Sequence, residues 1–244
     1  MTKWQEIWNK RQEKIAPTGA HPTLEDLIRL DGYDNGASTI QVADWRENVQ
    51  QVAHRLGIPA FLEQHNTASI FEVGCGAGAF LFALKELYPS VNVAGIDYAA
   101  GQIEVAEVVL PDGEFAVQDA AQIDTDTTFD FVLANSVFHY FSPQDSEIVL
   151  KRMIKKARHA VAVTEIPDSA LQDELELIRR GALNAEEYDK KYAGLKHTYY
   201  EKSWFTETVP QWNLGTLEVS VTEGMIPNYA QNRYRYNCFF TRKK

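Results

Sequence analysis

The run Ser69-Ile70-Phe71-Glu72-Val73-Gly74-Cys75-Gly76-Ala77-Gly78 constrains this chain more than any other feature. A short β-prone segment passes directly into glycines at alternate positions, and Ala79 to Tyr88 then reads as a helix ended by Pro89. Glycines in such a turn let the backbone reverse tightly and let a ligand approach without Cβ interference. The helix behind them presents free N–H groups at its start. With Ala79 the run also satisfies the dinucleotide pattern G-x-G-x-x-A, so a nicotinamide cofactor is a reading to be weighed.

The strand–turn–helix rhythm continues downstream. Val91 to Ile96 reads as a second strand, Glu114 to Val117 as a third, Phe129 to Ala134 as a fourth and His159 to Val163 as a fifth. Gly101 to Val109 reads as a helix, and Ser142-Pro143 with Asp145 behind it is a helix start, with the cap at Ser142. Strands alternating with helices imply right-handed crossovers and a parallel sheet covered on both faces. The tail breaks the alternation. Asp168 to Tyr192 predicts one or two charged helices and Trp204 to Trp212 a shorter one, followed by strands over Gly215 to Val221 and Arg233 to Phe240. The expected fold is α/β, with a mostly parallel sheet and an antiparallel terminal hairpin.

The N-terminal part is helical in pattern. Trp4, Ile7, Trp8 and Ile15 share one face before Pro17-Thr18-Gly19. After the turn-rich Asp31-Gly32-Tyr33-Asp34-Asn35-Gly36, Ser38 or Thr39 is the expected cap of a helix carrying Val42, Trp45, Val49, Val52 and Leu56, closed by Gly57. Four segments result within one domain: a helical cap over 1–66, a ligand-binding core over 67–166, lid helices over 167–212 and a hairpin over 213–244.

Net charge is −10, from 24 basic and 34 acidic residues, and no basic block is present. A nucleic-acid or anionic-membrane binder would need that basic footprint, so neither partner is expected. Cys75 and Cys238 form neither a disulfide framework nor a metal pattern. No apolar run nears the roughly 20 residues that span a bilayer, and the charged start lacks a signal-peptide core. A soluble cytoplasmic protein, monomeric or homodimeric, is expected.

Beyond the glycine loop, polar residues gather at strand ends. Asp97, with Tyr98, ends the second strand, where a carboxylate can accept both hydroxyls of an adenosine ribose. Asp119, before Ala120, ends the third, and Asn135-Ser136 leads out of the fourth. Open α/β sheets bind ligands at this edge. The set resembles the class I (Rossmann-like) S-adenosylmethionine-dependent methyltransferases of the small-molecule group, specifically over residues 70–140. The resemblance implies a seven-stranded sheet with one antiparallel strand next to the edge. It also implies S-adenosylmethionine as methyl donor, S-adenosylhomocysteine as product and a small-molecule acceptor. Cofactor contacts would come from Tyr33 as a flap, Glu72, Gly74, Cys75, Gly76, Gly78, Asp97, Tyr98, Asp119, Ala120, Asn135 and Ser136. Cys75 reads as a packing residue of the loop rather than a nucleophile, because no base accompanies it.

In-line attack on a sulfonium methyl asks the protein mainly for alignment, and no metal is expected. A hydroxyl acceptor would need a base, for which His139 and His197 are candidates and Glu165 a weaker one. Tyr140, Tyr199, Tyr200 and Arg233, with His139, are the expected substrate contacts. Trp204, Phe205 and Tyr229 could extend that wall, although packing of the lid explains most such rings. Arg235 joins Arg233 as a possible reader of an anionic group. Arg46 could reach a cofactor carboxylate, though a solvated role is its default. O-methylation is placed ahead of N-methylation. An oxidoreductase using a nicotinamide cofactor and a non-catalytic S-adenosylmethionine-binding regulator are the rivals.

Overall fold

The computed structural model describes residues 3–11, 21–33, 40–181, 184–192 and 196–243. One seven-stranded sheet organises them, in the order β3-β2-β1-β4-β5-β7-β6. The strands are β1 (Ala68–Val73), β2 (Val91–Asp97), β3 (Glu114–Val117), β4 (Phe129–Asn135), β5 (Ala157–Pro167), β6 (Leu217–Glu223) and β7 (Arg235–Arg242). The first five pair in parallel, while β7 runs antiparallel to both β5 and β6. That is the expected α/β sheet with its antiparallel strand beside the edge.

Each face of the sheet is buried by helices. On one side lie α2 (Leu24–Leu30), α3 (Val42–Leu56), α4 (Ile58–Leu62) and α5 (Ala79–Leu87), packed through Leu27, Trp45, Val49, Val52 and Phe80. On the other lie α7 (Pro143–Lys156) and a π-helical turn, Trp204–Thr208, through Val149, Met153 and Phe205. The α3 stripe read from the sequence is fully buried at Trp45, Val49 and Val52. Each large apolar side chain so buried contributes ~1.5–3 kcal/mol. Gly57 ends α3 in the left-handed conformation, as its position predicts. The remaining helices are α1 (Lys3–Asn9), α6 (Ala100–Val109), α8 (Gln172–Arg180) and α9 (Ala185–Tyr192).

Several boundaries differ from expectation for local reasons. Gly215, at φ +100°, stays in the turn before β6, and a 3-10 turn at Asn232–Tyr234 delays β7 to Arg235. β5 starts two residues earlier than expected and runs four further, because it pairs with β4 on one side and β7 on the other. Its end is irregular: register shifts between Val163 and Ile166, where Glu165 adopts φ +59°. Ser142 caps α7 as predicted, accepting from Asp145 N–H at 3.1 Å. For α3 the cap position is Gln41, without a side-chain hydrogen bond. The expected caps Ser38 and Thr39, like Ile15 of the first stripe, lie outside the described residues.

Candidate functional site

The carboxyl ends of β1, β2, β3 and β4 open into a cavity of about 280 Å³. The glycine turn forms its floor. Gly74, Gly76 and Gly78 all have positive φ, at +69°, +54° and +88°. At Gly74 a Cβ would sit 2.5 Å from Val137 Cγ2, and at Gly76 it would run into Asp31 Oδ1. These two positions need glycine for space as well as conformation. Gly78 is the αL residue preceding α5 and does not line the cavity.

Three carboxylates converge around this turn. Glu72, at the end of β1, is buried, and its Oε2 has no hydrogen-bond partner in the protein. Burial, with Asp31 and Asp97 nearby, pushes its pKa well above the ordinary value. Asp97 accepts from Gly76 N–H at 3.1 Å through one oxygen and from Ala99 N–H at 2.8 Å through the other. Burial raises its pKa, partly offset by those backbone donors. Asp31 accepts from Ala77 N–H at 2.6 Å and Ala79 N–H at 3.0 Å. Its pKa is pushed up to about 7 by burial, against the pull of the two N–H groups. Sequence reasoning placed Asp31 only in a turn, and no local signal marks its backbone partners.

Most of the expected contacts meet at this cavity. Tyr33, Glu72, Gly74, Cys75, Gly76, Asp97 and Tyr98 line it, as do Asp119, Ala120, Asn135, Ser136 and Tyr140. Asp119 caps a short 3-10 turn by accepting from Ala121 N–H at 2.8 Å. Cys75 is buried against Gly95, and burial raises its thiol pKa, which suits packing rather than nucleophilic attack. Tyr33 is ordered by a directed chain: Thr164 Oγ1 donates to Asn135 Oδ1 at 2.8 Å, and Asn135 Nδ2 donates to the Tyr33 hydroxyl at 3.0 Å. Ser136, at φ +56°, carries the chain out of β4 beside it.

Trp4 and Trp8 of α1, which the sequence shows only as sharing a helical face, also line the cavity. α1 is held there by Trp4: its carbonyl accepts from Tyr98 Oη at 3.4 Å, and its indole N–H donates to Lys196 O at 3.2 Å.

Other candidates lie off the lining. His139 is buried one ring behind Tyr140, with centroids 4.0 Å apart, and packs on His197 at 4.6 Å. His197 stacks on Trp4 at 4.8 Å. Tyr200 is buried beneath α7, where its hydroxyl donates to Phe138 O at 2.8 Å and lies 2.5 Å from Ser146 Oγ. Tyr199 is half-buried outside the lining residues. Arg233 is exposed and pairs with Glu174 at 2.7 Å, and Arg46 is exposed and pairs with Glu86 at 2.9 Å. Trp204 and Phe205 pack together under the sheet's second face. Glu165 and Arg235 form a buried pair at 3.6 Å, next to the Tyr33 side of the site. Arg235 Nη1 donates to Glu165 O at 2.9 Å, while its Nε has no hydrogen bond in the protein. Among the described residues no group of three or more His, Cys, Asp or Glu side chains is placed to hold a metal. No described helix is long and apolar enough to cross a membrane.

Sheet order, glycine turn and strand-end carboxylates together are those of a class of protein, the class I S-adenosylmethionine-dependent methyltransferases, which this chain resembles. A family model described as a methyltransferase domain matches residues 70–159, from β1 to the start of β5. Trans-aconitate 2-methyltransferase of Escherichia coli O7:K1 is 26% identical over 139 residues, covering 56% of this chain and 54% of that protein. The chain thus spans about half the length of the curated relatives it matches. Two solved structures share the fold over nearly the whole chain. Magnesium protoporphyrin IX methyltransferase from Synechocystis PCC 6803, with bound S-adenosylhomocysteine, has a TM-score of 0.61 at 15% identity, covering 98% of both chains. The N-methyltransferase NodS from Bradyrhizobium japonicum WM9, with the same ligand, has a TM-score of 0.60 at 16% identity, covering 98% of this chain and 99% of that one.

Proposed function

We propose that this protein transfers a methyl group from S-adenosylmethionine to an oxygen atom of a small-molecule acceptor. The observation that carries the reading is the convergence of Asp31, Glu72 and Asp97 on a glycine turn. Three buried carboxylates, one with an oxygen left without a partner, suit a cationic guest, because an unsatisfied buried polar group is costly. The donor supplies that charge, as a sulfonium whose methyl is the transferred group. Gly74 and Gly76 let Val137 and Asp31 close on the turn, and Asp97 is the acceptor for ribose hydroxyls. Asp119, Ala120 and Tyr98 are assigned to the adenine side. Asn135, Ser136 and Tyr33 face the reacting end.

Alignment is the protein's main contribution, and good positioning alone supplies ~7–11 kcal/mol of barrier lowering. The cap over 1–66, through Trp4 and Trp8, and the 167–212 segment exclude water from the acceptor side. Arg235, a buried guanidinium on the Tyr33 side, supports an oxygen acceptor over an amine. So does the relative named for trans-aconitate, an acid. His139 lies one ring behind Tyr140, so it takes a proton only from an acceptor that displaces that ring. A carboxylate acceptor needs no base. Net charge −10 and an acidic cavity favour a small molecule over nucleic acid.

Methyl-labelled S-adenosylmethionine should be incubated with a library of alcohols, carboxylic acids and amines, and labelled products identified by mass spectrometry. Label in an oxygen acceptor is expected. Label in amines alone overturns the acceptor assignment. Cofactor binding with no label transferred to any acceptor supports the regulator instead.

A further inference from the structure

The N-terminus of α5 is already occupied by the protein itself. Helix starts leave N–H groups free and carry a partial positive charge, so they are common seats for phosphate. Here Ala77 and Ala79 N–H both point at Asp31, at 2.6 and 3.0 Å, one carboxylate oxygen to each. The seat a dinucleotide's pyrophosphate would take is filled by a side chain from another helix.

Asp31 reaches this position because α2 is pinned along its length. Thr23 and Asp26 form a reciprocal cap at the start of α2, and Leu24, Leu27, Ile28 and Leu30 are buried. At its end, Arg11 donates to Leu30 O at 2.8 Å and to Arg29 O at 2.7 Å, and Gln102 donates to Leu30 O at 3.0 Å. Gly32 then turns at φ +95° against Trp8, and Tyr33 enters the cavity lining. Gly76 completes the fit, since any Cβ there would collide with Asp31 Oδ1. The carboxylate is therefore held by backbone on both sides.

From this geometry we infer that Asp31 is the residue that sets cofactor selectivity, by filling the phosphate seat of the glycine turn and admitting only an adenosyl ligand without phosphate. The inference rests on the methyltransferase reading, in which the adenosyl ligand carries no phosphate. Exclusion has two parts. Asp31 takes the donors a phosphate needs, and with Glu72 and Asp97 it presents like charge to any anion. A cationic ligand meets the same carboxylates as attraction.

The test is calorimetric titration of wild type, Asp31→Ala and Asp31→Asn with S-adenosylhomocysteine and with adenosine 5′-diphosphate, at fixed salt. Wild type is expected to bind S-adenosylhomocysteine at least 100-fold more tightly than the diphosphate. Asp31→Ala is expected to gain tenfold or more for the diphosphate and to lose several-fold for S-adenosylhomocysteine. If Asp31→Ala does not give a cooperative thermal transition, the near-isosteric Asp31→Asn carries the test, with a several-fold diphosphate gain expected. A folded variant with unchanged diphosphate affinity overturns the inference and leaves the methyltransferase reading standing. Failure of wild type to bind S-adenosylhomocysteine overturns both.

Discussion

Gly74→Ala tests whether the glycine turn is as tightly built as the cavity implies. The new methyl would lie 2.5 Å from Val137 Cγ2 and 2.9 Å from Cγ1. Rotating Val137 offers no escape, because both γ-methyls crowd the same point and a β-branched side chain has few rotamers. Residue 74 must also hold φ +69°, which costs a residue with a Cβ about 1–2 kcal/mol. Overpacking adds about 1–3 kcal/mol, so the single variant should lose about 2–5 kcal/mol. In a Val137→Ala background both γ-carbons are gone, and the same substitution should cost only the conformational ~1–2 kcal/mol. Urea unfolding of the four proteins gives the coupling energy. Equal costs of Gly74→Ala in the two backgrounds would refute the packing argument. S-adenosylhomocysteine affinity provides a second readout: it should fall in Gly74→Ala and recover in part in the double variant.

Asp31, with its pKa raised to about 7 from an ordinary 3.8, makes the folded state the better proton binder between those values. Stability is therefore fully present below about pH 4 and declines as pH rises towards 7; thermal unfolding across that range should show the decline flattened in Asp31→Asn. Asp97→Ala removes the acceptor of two backbone N–H groups at the carboxyl end of β2, and should weaken S-adenosylhomocysteine binding by roughly 1.5–3 kcal/mol. Tyr200→Phe deletes a buried hydroxyl that bonds Phe138 O and Ser146. It should cost about 1–2 kcal/mol in denaturant titrations and leave kcat unchanged within a few-fold, since it lies away from the cavity. His139→Gln separates base from packing: a turnover loss of ~10²–10⁴-fold with an altered pH profile marks a base, and a few-fold change marks a ring that supports Tyr140.

Much of the sheet was legible because each element carried its own local signal. Ser142-Pro143 marked the start of α7 and Gly57 the end of α3, and β3 fell at Glu114–Val117 as read. The alternation of strands and helices also determined which edge would collect Asp97, Asp119 and Asn135. What escaped depended on contacts between distant segments. Asp31 binds backbone 46 and 48 residues away, and nothing in Leu-Asp-Gly-Tyr announces that pairing. Trp4 and Trp8 obey the same periodicity as a core stripe, so spacing alone could not tell a helix over the sheet from one over a cavity. His139 sat just past the right strand end in sequence and Tyr200 in the aromatic stretch after the lid helices, but their rings turn into packing behind Tyr140 and beneath α7. A one-dimensional pattern gives the position of a side chain along an element and not the partner that captures it.

The account's central claim is that Asp31, Glu72 and Asp97 are gathered to receive a cation. Titration of the protein at pH 7 with S-adenosylmethionine and with S-adenosylhomocysteine, in two buffers of different ionisation enthalpy, measures protons released on binding. A pKa of about 7 leaves Asp31 near half-protonated there, and a sulfonium that lowers it to about 6 or below would release about 0.4 proton or more. Both ligands should bind, with the larger release from S-adenosylmethionine, whose sulfur bears the extra charge. Tight binding of NADH without heat from either adenosyl ligand, or equal proton release from the two, would contradict the claim.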